Sequence, residues 1–452
     1  MDKKKEFRLI GQGAYGCTIH PGLSCSTNRI GSVKYVSKLQ INDSTTKSEI
    51  EMGKIIQKIP NYPFFFAPII EHCPVNMSTI DSRQLEHCKP IAENTQNPSG
   101  KTFVSNKIQY VGSKTLGKYL YELINRPKPK NVKYLQKILE SHIYLLNSLQ
   151  ILNANVLLHL DIKENNVMYD KVNDIFIIID FGFCIQSKTI ELPNYLQATQ
   201  PFGKLTDSYP PWCIEIHILA YIARYIKKAQ SSTYKIDDSL FQQKIISTEE
   251  LKRICTLFIK KNFIFKTDFF SNNEIQKFET ALHKWMDSFK GKTWKDIWTL
   301  LVSSHKSWDN YALSVMYLFE LHDSNIVFES TDQNQDQDQN QDQDQGQGQR
   351  KFAISNIWTE PTKTKSEANP DRSQSIMNKY VAILKKIILA FPEKRSTPEE
   401  ISTEIKSVFR FVEKKIIHEL SKMANPDIKK VKDRKDKRTL LELEEDTELR
   451  KQ

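Results

Sequence analysis

Two polar segments in the middle of the chain carry residue types that could move a proton and bind a divalent cation. Asp161, Lys163 and Asn166 lie in one short loop, and Asp180 follows the apolar run Ile-Ile-Ile. An aspartate can accept a proton from an attacking hydroxyl, and a lysine can offset the charge of a phosphoryl group. Amide and carboxylate oxygens are ligands suited to Mg²⁺. The spacing therefore predicts phosphoryl transfer, with Asp161 and Lys163 as catalytic residues and Asn166 and Asp180 as metal ligands.

The order of these residues resembles the protein-kinase superfamily, whose catalytic loop reads H-R-D-x-K-x-x-N and whose metal loop reads D-F-G. Here the catalytic loop reads HLDIKENN, from His159 to Asn166, and the metal loop is DFG, from Asp180 to Gly182. The resemblance implies an α+β, bilobal protein-kinase-like fold with a small β-rich N-lobe and a larger helical C-lobe that carries insertions. It also implies ATP as the phosphoryl donor, with Mg²⁺ or alternatively Mn²⁺ as the metal.

A glycine-rich segment near the N-terminus, GQGAYG, places Gly11, Gly13 and Gly16 at G-x-G-x-x-G spacing. Dinucleotide-binding turns use the same letters but run into a helix. Here the next residues, Cys17 to His20, read as a returning strand, so we expect a hairpin whose backbone N–H groups approach phosphate oxygens. Thr18 stands where kinases usually carry valine. The resemblance assigns the three glycines and Thr18 to nucleotide binding.

The next strand ends near Lys38, which resembles the lysine of the kinase V-A-I-K motif, although Lys34 is an alternative. A helix predicted from about Ser44 to Ile59 contains Glu49, with Glu51 as the alternative carboxylate. The resemblance implies that the glutamate holds the lysine ammonium at the α- and β-phosphates of ATP.

The segment KIQYVG, from Lys107 to Gly112, resembles the strand that enters the interlobe hinge of kinases. The resemblance implies that backbone groups of Gln109 and Val111 bind adenine.

Lys163 is typical of family members that act on serine and threonine hydroxyls. Protein serines and threonines are therefore the expected acceptors.

Two departures from the kinase pattern bear on regulation and on stability. Leu160 replaces the arginine that meets a phosphate on the activation loop, so we expect constitutive activity or control by a partner. No A-P-E motif is present, and Trp212 stands where its glutamate is expected. In the family that glutamate pairs with the arginine of a segment like FPEKRSTPEE, which is Arg395 here. Glu215 is an alternative partner for this arginine.

Three strings resemble Ser/Thr kinases of giant nucleocytoplasmic DNA viruses: GQGAYGCTIHPGLSC, YVSKLQ and SWDNYALSVMYL. The last string opens a predicted helix at Ser307 to Leu321, in which Asp309 corresponds to the residue that braces the catalytic loop. Two other classes stay open beside an active protein kinase. One is a pseudokinase or nucleotide-binding scaffold, which the missing A-P-E motif favours, and the other is a small-molecule kinase on the same fold.

Composition and resemblance together predict one kinase with insertions. Residues 332–349 form a repeat of Asp, Gln and Asn that contains no hydrophobic residue to bury, so this segment is predicted to be disordered. The predicted parts are an N-lobe at 1–111 with an insertion at about 72–101, a C-lobe at 112–412 with a helical insertion at about 214–306 and the repeat at 332–349, and a charged tail at 413–452.

The composition is typical of an intracellular enzyme. Hydrophobic residues make up 39% of the chain, which suffices for a sizeable core. No apolar run reaches the roughly 18 residues that a membrane-spanning helix needs, and the N-terminus lacks a secretory signal. The basic cluster at 429–438 is followed at once by acidic residues, a pattern typical of a solvated tail, so nucleic-acid binding is not expected despite the net charge of +11.

The seven cysteines are scattered and odd in number, which predicts free thiols in a reducing compartment. That compartment is the host cytoplasm or the virion if the chain is viral. Two His-Cys dipeptides, His72-Cys73 and His87-Cys88, could together offer two nitrogen and two sulfur ligands to zinc. Zinc sites usually separate paired ligands by two to four residues, so no zinc is expected here.

Overall fold

The computed structural model describes residues 7–13, 16–25, 31–77, 80, 85, 87–96, 102–125, 131–191, 198–199, 201–202, 209–230, 238–323, 326–327, 352–353 and 370–408. They group into two compact units, the first with residues up to 119 and from 143 to 203, the second with 120–142 and 204–412. The repeat at 332–349 and the tail at 413–452 lie outside the described residues. All the predicted site residues belong to the first unit. The division into lobes at residue 111 stays a prediction.

A five-stranded antiparallel sheet forms the frame of the first unit, in the order β1-β2-β3-β6-β5. Across its middle, Thr18, Lys38 and Asn106 stand directly opposite one another. Side chains alternate between the two faces of a strand, whereas directly opposite residues share a face. Lys38 therefore faces the same side as Gln40. The strands are β1 (Arg8–Gly13), β2 (Gly16–His20), β3 (Tyr35–Ile41), β5 (Ile69–Val75) and β6 (Phe103–Gln109).

Helix α1 (Ser44–Ile56) follows β3 and packs against β5. Asp43 is its N-cap, and the side chain of Asp43 accepts a hydrogen bond from the N–H of Thr46 at 2.8 Å. The helix approaches β5 so closely that a Cβ atom on Gly53 would overlap the carbonyl oxygen of Ile69. The helix ends at Ile56, three residues before its predicted end at Ile59, and a loop follows it.

The opposite face of the sheet is covered by the insertion. Helix α2 (Lys89–Gln96) and the segment before it pack on that face. Cys17, Leu39 and Phe103 of the sheet form one hydrophobic cluster with Ile91 and its neighbours in the insertion. The predicted insertion at about 72–101 therefore shares a hydrophobic core with this face of the sheet.

Two disulfides fasten this region, Cys17–Cys88 and Cys25–Cys73. The prediction of free thiols is wrong for these four cysteines, because tertiary folding brings together residues that are 71 and 48 positions apart. Disulfides persist in oxidising environments, so the argument from thiols to a reducing compartment no longer holds. The remaining cysteines form no disulfide and are buried, at positions Cys184, Cys213 and Cys255.

The segment from Phe64 to Ile70 contains parts of two strands that belong to different sheets. Phe66–Ala67 (β4) pairs in parallel with a different sheet, whereas β5 begins at Ile69. Pro68 separates the two because it has no N–H to donate to a ladder. The boundaries between the units fall within helices α3 (Leu116–Ile124) and α4 (Asn131–Ala154). The other elements of the first unit are β7 (Leu157–Leu158), β8 (Val167–Asp170), β9 (Ile175–Ile179), β10 (Ile185–Gln186) and α5 (Ser187–Ile190).

The second unit is mainly helical, including the described residues between 214 and 306. That this stretch is an insertion stays a prediction. Capping boxes start two of its helices, at Ser271 with Glu274 and at Thr293 with Asp296. Asp309 is buried in the first turn of α11. The elements are α6 (Ile214–Gln230), α7 (Asp238–Gln243), α8 (Thr248–Lys261), α9 (Asn272–Asp287), α10 (Trp294–Val302), α11 (Trp308–Asp323), β11 (Ile326–Val327), β12 (Phe352–Ala353), α12 (Pro370–Ile388) and α13 (Pro398–Val408).

The structure is mixed α+β, with a small antiparallel sheet and many helices, which confirms the predicted class at that level. Within the described ranges, no helix has both the length and the apolar character that crossing a membrane requires.

Candidate active site

Lys38 and Glu49 form an ion pair between β3 and α1. The Nζ atom of Lys38 donates to Oε1 of Glu49 at 2.9 Å and to Oε2 at 3.1 Å. The Glu49 side chain is only 3% exposed. The sheet supplies the lysine and the helix supplies the carboxylate, so the pair depends on the close packing of α1 at Gly53.

The alternative residues of the sequence pattern are not part of this pair. Lys34 is exposed, and Glu51 pairs with Lys54 at 2.6 Å on the exposed side of α1. Residues four positions apart share a helix face, which is why Glu49 lies on the buried face together with Gly53.

Burial and charge shift the pKa values of this pair. Burial lowers the pKa of Lys38, but the carboxylates of Glu49 and Asp180 outweigh that effect, so the pKa lies above its ordinary value. Burial raises the pKa of Glu49, and the Lys38 ammonium reverses this only in part. Lys38 therefore keeps its positive charge at neutral pH.

Asp180 brings a second carboxylate to the same ammonium group. Its Oδ1 atom accepts from Nζ of Lys38 at 3.0 Å, although 142 positions separate the two residues. Asp180 follows β9 directly and has a φ of 61°, a left-handed conformation that is strained for a residue other than glycine. Burial raises the pKa of Asp180, but the Lys38 ammonium more than compensates and holds the pKa below its ordinary value.

Phe181 and Gly182 fix the loop around Asp180. The buried ring of Phe181 meets the ring of His159 edge-on at 5.1 Å and that of Phe66 at 6.1 Å. The N–H of Gly182 donates to Oδ1 of Asp180 at 3.3 Å. A Cβ atom on Gly182 would lie 3.3 Å from the same oxygen, so the glycine keeps space beside the carboxylate.

The backbone around His159 ties the catalytic loop to β9. The N–H of Asp161 donates to Nδ1 of His159 at 3.2 Å. His159 therefore carries its proton on Nε2, which donates to the carbonyl of Ile179 at 3.1 Å. Leu160, between them, has a φ of 61°. These bonds connect the loop of Asp161 to the residue that precedes Asp180.

Asp161, Lys163 and Asn166 form one hydrogen-bonded group. The Nδ2 atom of Asn166 donates to the carbonyl of Asp161 at 2.9 Å and to its Oδ2 at 2.7 Å. The Nζ atom of Lys163 donates to the two carboxylate oxygens of Asp161 at 3.1 and 2.9 Å. Since Asn166 donates through its nitrogen, Oδ1 is the atom that can bind a cation.

The three glycines lie on the hairpin of β1 and β2, where Gly13 pairs with Gly16 and Gly11 with Thr18. A Cβ atom on Gly16 would overlap the carbonyl oxygen of Leu39, so a side chain is excluded there. The turn residues 14 and 15 lie outside the described residues. Contact between this hairpin and phosphates stays a prediction.

The expected hinge begins where β6 ends, at Gln109. The ring of the next residue, Tyr110, stacks on His20 with 4.0 Å between centroids. Val111 is buried, and Gly112 has a φ of 149°, which favours glycine. The adenine contacts of Gln109 and Val111 stay a prediction.

In the second unit, Arg395 pairs with Glu215, the alternative partner that the sequence offers in place of an A-P-E glutamate. Its Nη1 atom donates to Oε1 of Glu215 at 2.6 Å, and its Nη2 atom donates to Oε2 at 3.1 Å. Ser307 accepts from Nη1 at 3.1 Å, and the ring of Tyr311 lies 5.3 Å from the guanidinium carbon. The two side chains of the pair are 1% and 0% exposed.

Two buried polar residues near Glu49 were missed by the motif analysis. The Nε2 atom of Gln40 donates to Oε2 of Glu49 at 3.2 Å, and Nδ2 of Asn106 donates to Oε1 of Gln40 at 2.7 Å. A signal was present, because Gln40 lies two positions after Lys38 and so on the same face of a strand. A glutamine at an inward position of a strand needs a polar partner.

The four residues considered for zinc are arranged differently. Cys73 and Cys88 are each bonded to another cysteine, Cys25 and Cys17 respectively. Where the structure describes the chain, no cluster of three or more His, Cys, Asp and Glu side chains could hold a metal ion.

No protein-family model matches this chain, and a search of curated proteins gives no match either.

Proposed function

We propose that this chain is a protein serine/threonine kinase with a bilobal kinase-like fold, which transfers the γ-phosphoryl group of ATP to protein hydroxyls. The observation that carries the proposal is the meeting of Lys38, Glu49 and Asp180 around one ammonium group, at 2.9 to 3.1 Å. The three residues come from three separate segments of the chain, each of which resembles a kinase motif. In kinases such a lysine binds phosphates beside the metal-binding aspartate.

The donor set of the site suits Mg²⁺. Magnesium keeps several waters and usually takes one or two protein carboxylates together with phosphate oxygens. Asp180 supplies a carboxylate whose pKa is held below its ordinary value by Lys38, and Asn166 supplies its Oδ1 oxygen. When bound there, the metal offsets negative charge on the phosphoryl oxygens.

Asp161 is suited to accept the proton of the acceptor hydroxyl. Its carboxylate is oriented by Asn166 at 2.7 Å and by Lys163 at 2.9 Å, so the base is preorganised. Lys163 is suited to steady the transferred phosphoryl group. The catalytic contribution of these residues is positioning and electrostatic stabilisation.

The pair of Glu215 and Arg395 supports a protein kinase over a scaffold. The absent A-P-E motif favours a pseudokinase, because its glutamate normally forms a buried ion pair with the arginine. Here a different glutamate occupies that role at 2.6 Å. The viral likeness is carried by short strings alone, and a small-molecule kinase is the alternative that substrate tests address.

The test is transfer of label from γ-labelled ATP with Mg²⁺ to dephosphorylated casein, with Asp161→Asn as the matched control. Asp161→Asn keeps side-chain size and removes the base. We expect label on serine and threonine that is lost in the control, together with a rise in Tm when Mg²⁺ and ATP are added. A rise in Tm without label would support the scaffold, and label only on metabolites would support a small-molecule kinase. Neither label nor a rise in Tm would refute the nucleotide site.

A further inference from the structure

A chain of hydrogen bonds runs from β6 through β3 to α1, next to the Lys38–Glu49 pair. Asn106 donates to Gln40 at 2.7 Å, and Gln40 donates to Oε2 of Glu49 at 3.2 Å. The same Oε2 atom accepts from Lys38 at 3.1 Å. Two residues of β3 thus donate to the same oxygen of Glu49, and β6 donates to one of them.

The orientation of both amides follows from the acceptor at the end of this chain. An ionised carboxylate can only accept hydrogen bonds. Gln40 must therefore turn its NH₂ group to Glu49 and its carbonyl oxygen to Asn106, which in turn must donate. The three side chains belong to residues that are 0% (Asn106), 1% (Gln40) and 3% (Glu49) exposed, so water does not compete for these bonds.

Stability alone does not explain two amides at these positions. Oδ1 of Asn106 is buried and has no hydrogen-bond partner among the described residues. A buried acceptor without a partner costs roughly 1–3 kcal/mol, whereas replacing both members of a hydrogen-bonded pair by apolar groups is close to neutral. Departures from good packing rules of this kind concentrate at functional sites.

We propose that Gln40 and Asn106 are positioning residues for the phosphoryl-transfer reaction. They hold Glu49 in one orientation and in its ionised form, so that Lys38 is presented to the phosphates of ATP. The inference rests on the proposed function, because it assigns to these amides a role in that same site.

The electrostatics of Glu49 agree with this role. Burial raises the pKa of Glu49, the Lys38 ammonium lowers it, and the Asp180 carboxylate raises it. The hydrogen bond from Gln40 also lowers this pKa. Without Gln40, the glutamate would protonate at higher pH and release its hold on Lys38.

The test compares full-length wild type with Gln40→Leu and with Gln40→Leu/Asn106→Leu, which leaves no unpaired amide. Ser105→Ala is the matched control. Ser105 is next to Asn106 but on the other face of β6, where its hydroxyl donates to Ser37 of β3 at 2.8 Å. The readouts are Tm, and kcat and KM for ATP with casein as the acceptor between pH 5 and 9.

We expect both Gln40 variants to lower kcat about 10- to 100-fold, with KM for ATP within about threefold, and to move the acidic limb of the kcat/KM profile to higher pH. The double variant should keep a Tm close to wild type, and Ser105→Ala should keep full activity. Wild-type kinetics in the double variant would overturn the inference and leave the proposed function standing. A loss of activity equal at every pH and matched by the loss of Tm would identify a packing role and overturn it too. A wild type without any transfer would overturn the proposed function, and the inference with it.

Discussion

The buried pair of Arg395 and Glu215 allows a stability prediction to be worked out from the structure. Arg395→Leu leaves the Glu215 carboxylate at 0% exposure without its guanidinium. It also removes the bonds that Arg395 donates to Ser307 and to the carbonyl of Ala390, at 3.1 and 3.3 Å. Removing one partner of a buried ion pair costs about 3–5 kcal/mol. We therefore expect Arg395→Leu to lower the free energy of unfolding by about that amount.

The double variant Glu215→Leu/Arg395→Leu separates the cost of an unpaired charge from the worth of the pair. Replacing a whole buried pair by apolar residues is often close to neutral, so the double variant should be more stable than either single variant. Urea unfolding measures all three. The exposed pair of Lys386 and Glu404, with side chains 61% and 35% exposed, serves as control, and Glu404→Gln should cost less than about 1 kcal/mol. The reasoning would be refuted if the double variant lost as much unfolding free energy as the two single variants together. It would also be refuted if Arg395→Leu cost no more than the control variant Glu404→Gln.

Three further predictions concern other parts of the molecule. Reduction of the two disulfides by dithiothreitol should lower the free energy of unfolding by about 2–4 kcal/mol per bond, and identical urea curves with and without reductant would contradict this. Burial lowers the pKa of His142 to about 3, whereas the pKa in the unfolded chain is near 6.5. The contribution of the neutral imidazole to stability is therefore complete above pH 6.5 and is lost as the pH falls towards 3, at about 1.4 kcal/mol per pH unit. His142→Gln should flatten the fall of unfolding free energy between pH 6.5 and 4, and an unchanged slope would rule out a neutral buried imidazole. Lys38→Met should lower kcat for casein on the order of 10²- to 10³-fold, and a variant with near-normal turnover would remove Lys38 from the mechanism.

The candidate site is the part of the protein that the sequence predicts best. Catalysis requires certain residue types at certain spacings, and the helical period then decides between neighbouring carboxylates. Helical spacing in α1 distinguishes Glu49 from Glu51, whereas Lys34 differs from Lys38 because it lies before β3 begins at Tyr35. The structure pairs Lys38 with Glu49 at 2.9 Å.

Features that depend on tertiary contacts could not be predicted in the same way. The pairing of Cys17 with Cys88 needs the insertion to fold back over the sheet, which no local pattern encodes. The division at Pro68 was visible as a missing donor, but the sequence does not say that the two halves join different sheets. The sequence offers Glu215 only as an alternative partner of Arg395, and the position of Glu215 in helix α6 decides the pairing.

The two disulfides have a topological consequence. Cys17 is bonded to Cys88 and Cys25 to Cys73, so every peptide bond between Cys17 and Cys88 lies inside at least one covalently closed ring. A protease that cuts once anywhere in this stretch leaves a single molecule, and a force applied at the chain ends bypasses the stretch through sulfur. Lys38 and Glu49 both lie within it. In the oxidised protein, the two residues that form the central ion pair thus stay joined by covalent bonds even after the backbone between them has been cut.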